Sequence, residues 1–325
     1  MNLQTIKNEI LSGRAIDKNA ALWLASNSNL NELLLAADEI RARVCGDKFN
    51  LCTIINVKSG KCSEDCKYCA QSAAHATGCE VYGVLPATRV LEKALANEAG
   101  GAHRFSLVAS GRGLKSVSAD MTRVEEIYRA LASRTHLHLC ASFGIADREA
   151  LERLKAVGVR TFHHNLETSR RFYPQICTTH SYEERINTIK TAQEVGLDVC
   201  SGGIFGLGES MEDRVDMAFE LSNLNIKSVP INLLTPIPGT PLEDAAPLSR
   251  EEILRSMAIY RFILPRAYLR FAGGRKNLGD DTVTALKGGI NSALTGDFLT
   301  TAGDGIEADK TLVASCGYDI SKGND

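Results

Sequence analysis

The chain has 325 residues, 44% hydrophobic and 23% charged, with a formal net charge of −2. This composition suits one large or two small globular domains, and the balanced charge argues against a nucleic-acid partner or an anionic membrane surface. No apolar run is long enough to cross a bilayer, and MNLQTIKNEI lacks the basic-then-apolar pattern of a leader, so a soluble cytoplasmic protein is expected.

Residues 1–50 read as a helical extension, because ALWLASNSNLNELLLAADEIRARV is Leu/Ala-rich and amphipathic. LCTIINV (51–57) reads as a strand and leads into a cysteine-rich loop. A helix is expected from Thr88, as N-cap, to about Glu98, where Gly100 and Gly101 stop it. Strands then alternate with helices. The strands are RFSLVAS (104–110), HLHLCAS (136–142), RTFHHNLE (160–167), LDVCSGGI (197–204), SVPINLL (228–234), AYLRFAGG (267–274) and INSAL (290–294). The helices between them are 121–134, 147–158, 182–196, 211–224, 250–264 and 282–289. Strands joined by helices pair in parallel through right-handed crossovers. Eight such units predict the α/β class and a TIM-type (β/α)8 barrel over 51–301, preceded by the helical extension. The polar stretch 302–325 is expected to fray as a tail. In such a barrel functional residues gather at the C-terminal ends of the strands. Cys140, Asn165, Gly202, Gly203, Asn232 and Arg270 all fall late in theirs, and the cysteine loop directly follows the first.

Ten cysteines are present, at 45, 52, 62, 66, 69, 79, 140, 177, 200 and 316. Clustered thiols in a reducing compartment bind metal or do chemistry more often than they form disulfides, whereas scattered ones pack as small hydrophobes. The cluster is GKCSEDCKYCAQS (60–72), with Cys62, Cys66 and Cys69 in one loop. Zinc would need a fourth ligand; His75 is near in sequence, but the second Cys-x2-Cys knuckle of a zinc ribbon is missing. An iron–sulfur cubane held by three thiolates keeps one iron open for an exchangeable ligand.

Cys62-x3-Cys66-x2-Cys69, with Tyr68 before the last cysteine, resembles the signature of radical S-adenosylmethionine enzymes. KSGKCSEDCKYCAQS, HHNLETS (163–169), TTHSYEERINTI (178–189), VCSGGIFGLGE (199–209), SVPINLL and YLRFAGGR (268–275) together resemble the biotin synthase family, in that order and over roughly residues 20–302. The resemblance implies sulfur insertion between C6 and C9 of dethiobiotin, driven by 5′-deoxyadenosyl radicals from S-adenosylmethionine. It assigns Cys62, Cys66 and Cys69 to a [4Fe–4S] cluster whose open iron takes S-adenosylmethionine. Tyr68 and Ile204 would lie near the adenine, and Asn165, Glu167 and Arg185 in the cofactor pocket. Gly202 and Gly203 would let backbone approach the cofactor, and Asn232 would bond the ureido ring of the substrate. Flavodoxin or ferredoxin as electron donor, iron–sulfur assembly machinery and a homodimer are implied as partners.

Four positions depart from the family pattern: Ser106, Cys52, His163 and Glu167, which stands where the best-known enzymes have Asp, one methylene shorter. The family holds an auxiliary [2Fe–2S] sulfur donor on three cysteines and an arginine. Cys140, Cys200 and Arg270 match, but Ser106 stands where the third cysteine belongs. Serine oxygen is a poor ligand in a thiolate cluster. Cys52, on the neighbouring strand where the family has serine, is the expected replacement, giving an auxiliary cluster that is [2Fe–2S] or altered and larger. His163 stands where the family has Asn beside the substrate, and it can serve a ureido group as donor or acceptor. Cys79 is read as a bystander; Cys45, Cys177 and Cys316 carry no signal. Two other readings are a related radical enzyme (a hydrogenase-cluster maturase, or an amino-acid mutase or lyase) and a non-catalytic iron–sulfur or zinc protein. Cys140, Cys200 and Arg270 argue against the first, and the open coordination position against the second.

Overall fold

The computed structural model describes residues 1–296 and 305–323. Helices α1 (Leu3–Leu11), α2 (Lys18–Asn27) and α3 (Leu30–Cys45) come first, followed by strand β1 (Asn50–Lys58). The repeat continues as α4 (Ala87–Ala99), β2 (Arg104–Ala109), α5 (Ala119–Arg134), β3 (His138–Ser142), α6 (Arg148–Ala156), β4 (Thr161–His163) and α7 (Tyr182–Val195). It closes with β5 (Asp198–Cys200), β6 (Gly203–Phe205), α8 (Met211–Asn223), β7 (Ser228–Leu233), α9 (Arg250–Ile263), β8 (Tyr268–Phe271), α10 (Thr282–Leu286), β9 (Ser292–Leu294) and α11 (Ile306–Ser315).

All named strand pairs are parallel. β1 bonds to both β2 and β9, and β5 reaches β7 through Cys200 and Ser228, so the sheet closes on itself. β5 and β6 are two halves of one stave, interrupted at Ser201-Gly202, so the barrel has the eight staves expected. The interruption was not legible as a break in 197–204. It is needed because the segment after β4 crosses over there: Leu166 N and Glu167 N both donate to Gly202 O, at 2.9 and 3.1 Å. The strand expected over 160–167 therefore ends at His163.

Strand side chains alternate between two environments. Phe105, Leu107, Leu139, Ala141, Phe162, Val199, Val229, Ile231, Leu269, Phe271 and Ala293 face outward and are buried under the helices, forming the main core. The intervening residues face the lumen. The extension α1–α3 packs on α8 and α9.

Two local expectations differ from the structure. Helix α4 starts at Ala87 with Pro86 in the cap position and no side-chain cap bond, so Thr88 lies within the first turn. Proline supplies a fixed φ suited to helix entry in place of a capping hydroxyl. The polar tail also does not fray where it is described. Helix α11 lies against the end of α4, where a Cβ on Gly100 would meet Ile306 at 3.1 Å. Tyr318 donates to Leu286 O and Ile290 O at 2.7 and 2.6 Å, and Asp319 N donates to Asp47 O. Asp309, 1% exposed, pairs with the buried Arg275 that follows β8. The segment thus supplies the outer helix after the last strand.

Breaking a buried ion pair by removing one partner costs about 3–5 kcal/mol. Asp309→Ala should lower stability by that amount in denaturant unfolding. A loss below ~1 kcal/mol would show that α11 is not part of the barrel's cooperative unit.

Candidate active site

The lumen positions of an ordinary barrel of this type are filled by branched aliphatic side chains. Here the same positions carry Cys52 and Ile54 on β1, Arg104, Ser106 and Val108 on β2, and Cys140 and Ser142 on β3. His163, Cys200, Ser228, Pro230, Asn232 and Arg270 continue the ring, and together they line a cavity of about 400 Å³. Tyr68, Asn165, Glu167 and Ile204 stand on the same wall, with Gly273, Gly274 and the Leu234–Thr235 segment. Of the three-cysteine loop, Tyr68 reaches the wall.

Cys52 faces the lumen, the condition that its expected role as a ligand required. Its depth differs from a simple sideways exchange with Ser106. The register pairs Cys52 with Arg104, and Ser106 with Ile54 and Cys140. Cys52 therefore sits one pair deeper than Ser106. Burial pushes the Cys52 thiol up, opposed by the charges of Arg270 and Arg104, with Cys200 close enough to be felt. Burial and the nearby Cys52 push Cys140 up to about 12, again against Arg104. Burial also acts on Cys200, but a hydrogen bond and the charge of His163, with Arg270 and Ser228 adding, bring it down to about 7. His163 is pushed down by burial and up more strongly by Cys200, so the pair favours imidazolium beside thiolate. Arg270 is held by Asn50, whose Oδ1 accepts from Nη2 at 2.7 Å. Asn50 in turn donates to Gly323 O at 2.7 Å, which links the C-terminal segment to the lumen arginine.

The second group of residues surrounds the mouth. Asn165 Oδ1 accepts from Gly202 N at 3.1 Å, and its Nδ2 donates to Glu167 Oε2 at 3.2 Å. Arg185 lies behind the wall. It donates to Asn165 O at 2.9 Å and to Tyr173 OH at 2.7 Å, and it pairs with Glu167 at 3.7 Å. Glu167 has φ of +71°, a left-handed conformation uncommon for a side chain of its size and typical of sites that hold a group in place. The glycines have a reason not expected from sequence. A Cβ on Gly202 would lie 1.9 Å from Pro230 O, and one on Gly203 2.4 Å from Glu167 O. They are required because the backbone of β7 and of the segment after β4 meets this stave there. Asn232 donates to Gly203 O at 3.1 Å and accepts from Gly273 N at 2.9 Å. One amide hydrogen and one oxygen lone pair remain for a ligand.

The three-cysteine loop is wound by its own backbone. Cys62 N donates to Gln71 O at 2.9 Å, Ala73 N to Cys62 O at 2.7 Å, and Cys69 N to Cys66 O at 2.9 Å. All ten cysteines are free thiols. Cys69 feels both Cys62 and Glu167, and burial raises it to about 11. His75 turns its Nδ1 to Cys69 O at 2.9 Å, a backbone partner, and Cys79 does not line the cavity. Arg104 is the lumen residue whose role sequence reasoning missed; its signal was its period-two phase with Ser106. Cys177 was missed outright, although its thiol lies 3.7 Å from that of Cys66.

Comparison with known proteins decides the family. The chain is 61% identical over its full length, and that of the relative, to a biotin synthase from Campylobacter hominis. It is 55% identical to one from Fusobacterium nucleatum subsp. nucleatum, covering 97% of this chain and 89% of the relative. The chain belongs to the biotin synthase family. The Radical SAM superfamily matches residues 56–221, and the Biotin and Thiamin Synthesis associated domain matches 230–319. The first span holds the three-cysteine loop, Asn165, Glu167, Arg185 and Cys200, and the second Asn232 and Arg270. The family makes the chain a radical S-adenosylmethionine enzyme, with the [4Fe–4S] cluster and cofactor that the superfamily implies. Among solved structures, methylornithine synthase superposes with a TM-score of 0.84 at 19% identity, covering 97% of both chains. A maturase of the [FeFe]-hydrogenase superposes with 0.84 at 17% identity, covering 98% of this chain and 75% of that one. At such identities the likeness is one of fold.

In the full-length chain freed of iron, Cys200 should react with a small alkylating reagent with a midpoint near pH 7, the value of about 7 set by His163. Cys140 should remain a protonated thiol over the same range. Peptide mass spectrometry across a pH series checks both. His163→Ala should move the Cys200 midpoint upward; an unmoved midpoint would show that His163 does not favour the thiolate.

Proposed function

We propose that this chain inserts sulfur between C6 and C9 of dethiobiotin to form biotin, inside the barrel lumen. The observation that carries the reading is the lining of that lumen: three thiols and two guanidinium groups replace the usual aliphatic packing and leave a cavity of about 400 Å³. That is the lower range of small-molecule sites, large enough for a compact bicyclic product.

Cys62, Cys66 and Cys69 would hold a [4Fe–4S] cluster with one iron open to S-adenosylmethionine, which would supply the radical chemistry that removes hydrogen at C6 and C9. Cys52, Cys140 and Cys200, beside Arg270, would hold an auxiliary iron–sulfur cluster that would supply the sulfur. The donor chemistry suits both groups: Cys62, Cys66 and Cys69 are free thiols on one loop, and Cys52, Cys140 and Cys200 are free thiols lining the lumen. Ser106, a hard oxygen donor, is not needed in the second set.

The protein's own groups bind and orient. The Glu167 carboxylate, fixed by Asn165 and Arg185, accepts from the ribose hydroxyls. Tyr68 and Ile204 cover the adenine. Asn232 gives its remaining amide hydrogen and lone pair to the ureido ring, and His163 offers a second polar contact deeper in the lumen. Arg270 and Arg104 place positive charge beside the thiolates, which offsets part of the cost of burying them. We further infer that flavodoxin or ferredoxin delivers the electron, that iron–sulfur assembly machinery loads both clusters, and that the enzyme acts as a cytoplasmic homodimer. Among the described residues no helix is long and apolar enough to cross a membrane. We divide the chain into a helical cap, residues 1–50, and a barrel whose last outer helix lies in the C-terminal segment.

An anaerobic single-turnover assay with dethiobiotin, S-adenosylmethionine and a reductant tests the proposal. Mass spectrometry should find biotin together with 5′-deoxyadenosine. Deoxyadenosine without biotin or a thiolated intermediate would retain the radical chemistry and overturn the substrate.

A further inference from the structure

Cys177 takes no part in the chemistry above, yet it sits in a built site. It comes from ICTTHSY (176–182), the connection between β4 and α7. This segment is fastened to the three-cysteine loop at several points. Asp65 accepts from Thr178 N at 2.9 Å and from Thr179 N at 3.3 Å, and Lys67 N donates to Ile176 O at 3.0 Å. The fastening brings Cys66, Cys177 and His180 together, all less than a tenth exposed. Their ligand atoms lie within 4.8 Å of one another.

The spacing matches one tetrahedral ion. Zinc–sulfur bonds of about 2.3 Å and zinc–nitrogen bonds of about 2.0–2.1 Å give tetrahedral edges of roughly 3.8 Å between sulfurs and roughly 3.6 Å from sulfur to nitrogen. Here Cys66 Sγ and Cys177 Sγ are 3.7 Å apart, and Cys177 Sγ lies 3.3 Å from His180 Nδ1 and 3.9 Å from Nε2. His180 Nδ1 also meets Glu64 Oε2 at 2.6 Å. With Glu64 on Nδ1, the nitrogen left for a cation is Nε2, 3.9 Å from Cys177 Sγ, and a carboxylate on the other ring nitrogen is the usual outer support of a histidine ligand. Arg112 donates to the same Glu64 oxygen at 3.3 Å. Arg112 also pairs with Glu184, and a divalent cation would offset the two thiolates.

We propose that Cys66, Cys177 and His180 hold a single thiophilic divalent cation, ferrous iron or zinc, when the three-cysteine loop carries no cluster. Cys66 belongs to both sets of ligands, so the small site empties as the [4Fe–4S] cluster forms. This last clause rests on the cluster assignment made above; the cation site itself does not. The site would give iron a first foothold during assembly and would let zinc block it.

The test is anaerobic titration of the full-length, cluster-free chain with cobalt(II), read by its thiolate charge-transfer and tetrahedral ligand-field bands. One equivalent should bind in the wild-type chain and in Cys62→Ala and Cys69→Ala, and the cluster-loaded enzyme should bind none. Cys177→Ala should lose the tetrahedral spectrum while still taking up the three-cysteine cluster, which shows that it folds. Glu64→Gln should bind ~10–100-fold more weakly, as other outer-shell losses do. Prebound zinc should slow cluster reconstitution in the wild-type chain and not in Cys177→Ala, whereas prebound iron should not slow it in either. A tetrahedral cobalt spectrum that survives Cys177→Ala, or that needs Cys62 and Cys69, would overturn the site, as would no binding to the wild-type chain. None of these readouts depends on whether biotin is made.

Discussion

The site depends on one constraint, the period of two along strands that close into a barrel. Closure through Cys200 and Ser228 of β5 and β7 joins the two ends of the sheet. Each strand then has one face turned to the helices and one to the axis. The outward face holds the aliphatic and aromatic core. The inward face is thereby released from packing duty, and it is where Cys52, Arg104, Cys140, His163, Cys200 and Arg270 meet. A shift of one residue in any stave would exchange the two sets and bury charge among apolar side chains.

Stability and chemistry pull against each other in that lumen. Burial raises the thiols of Cys52 and Cys140, which by itself would keep them protonated and poor ligands. Two guanidinium groups and the His163 ring oppose this. Arg270 is fixed by Asn50, and Asn50 by Gly323. The C-terminal segment therefore contributes to the electrostatics of the site although none of its side chains lies on the cavity wall among the described residues.

Much of this could be read from the chain. The strand and helix order was legible because each βα unit carries its own periodicity and breakers, and the three-cysteine loop because its spacing suits a single cluster. That Cys52 turns inward needed the register of the closed barrel. Other features arise only in three dimensions. The break at Ser201-Gly202 comes from the crossing segment 164–167, which has no local signature. The glycines there answer to Pro230 O and Glu167 O, both distant in sequence. Helix α11 looked polar because its buried side is anchored by the Asp309–Arg275 pair and by Tyr318, so apolar periodicity does not reveal it. Cys177 was passed over because its partner Cys66 is 111 residues away.

We propose that lumen-facing Cys52, and not residue 106, completes the auxiliary cluster. Iron and acid-labile sulfide, with Mössbauer spectra, should be measured on reconstituted Cys52→Ala and Ser106→Ala proteins. Cys52→Ala should lose the auxiliary iron and sulfide while keeping the three-cysteine cluster, and Ser106→Ala should keep both. Full auxiliary iron and sulfide in Cys52→Ala would contradict it.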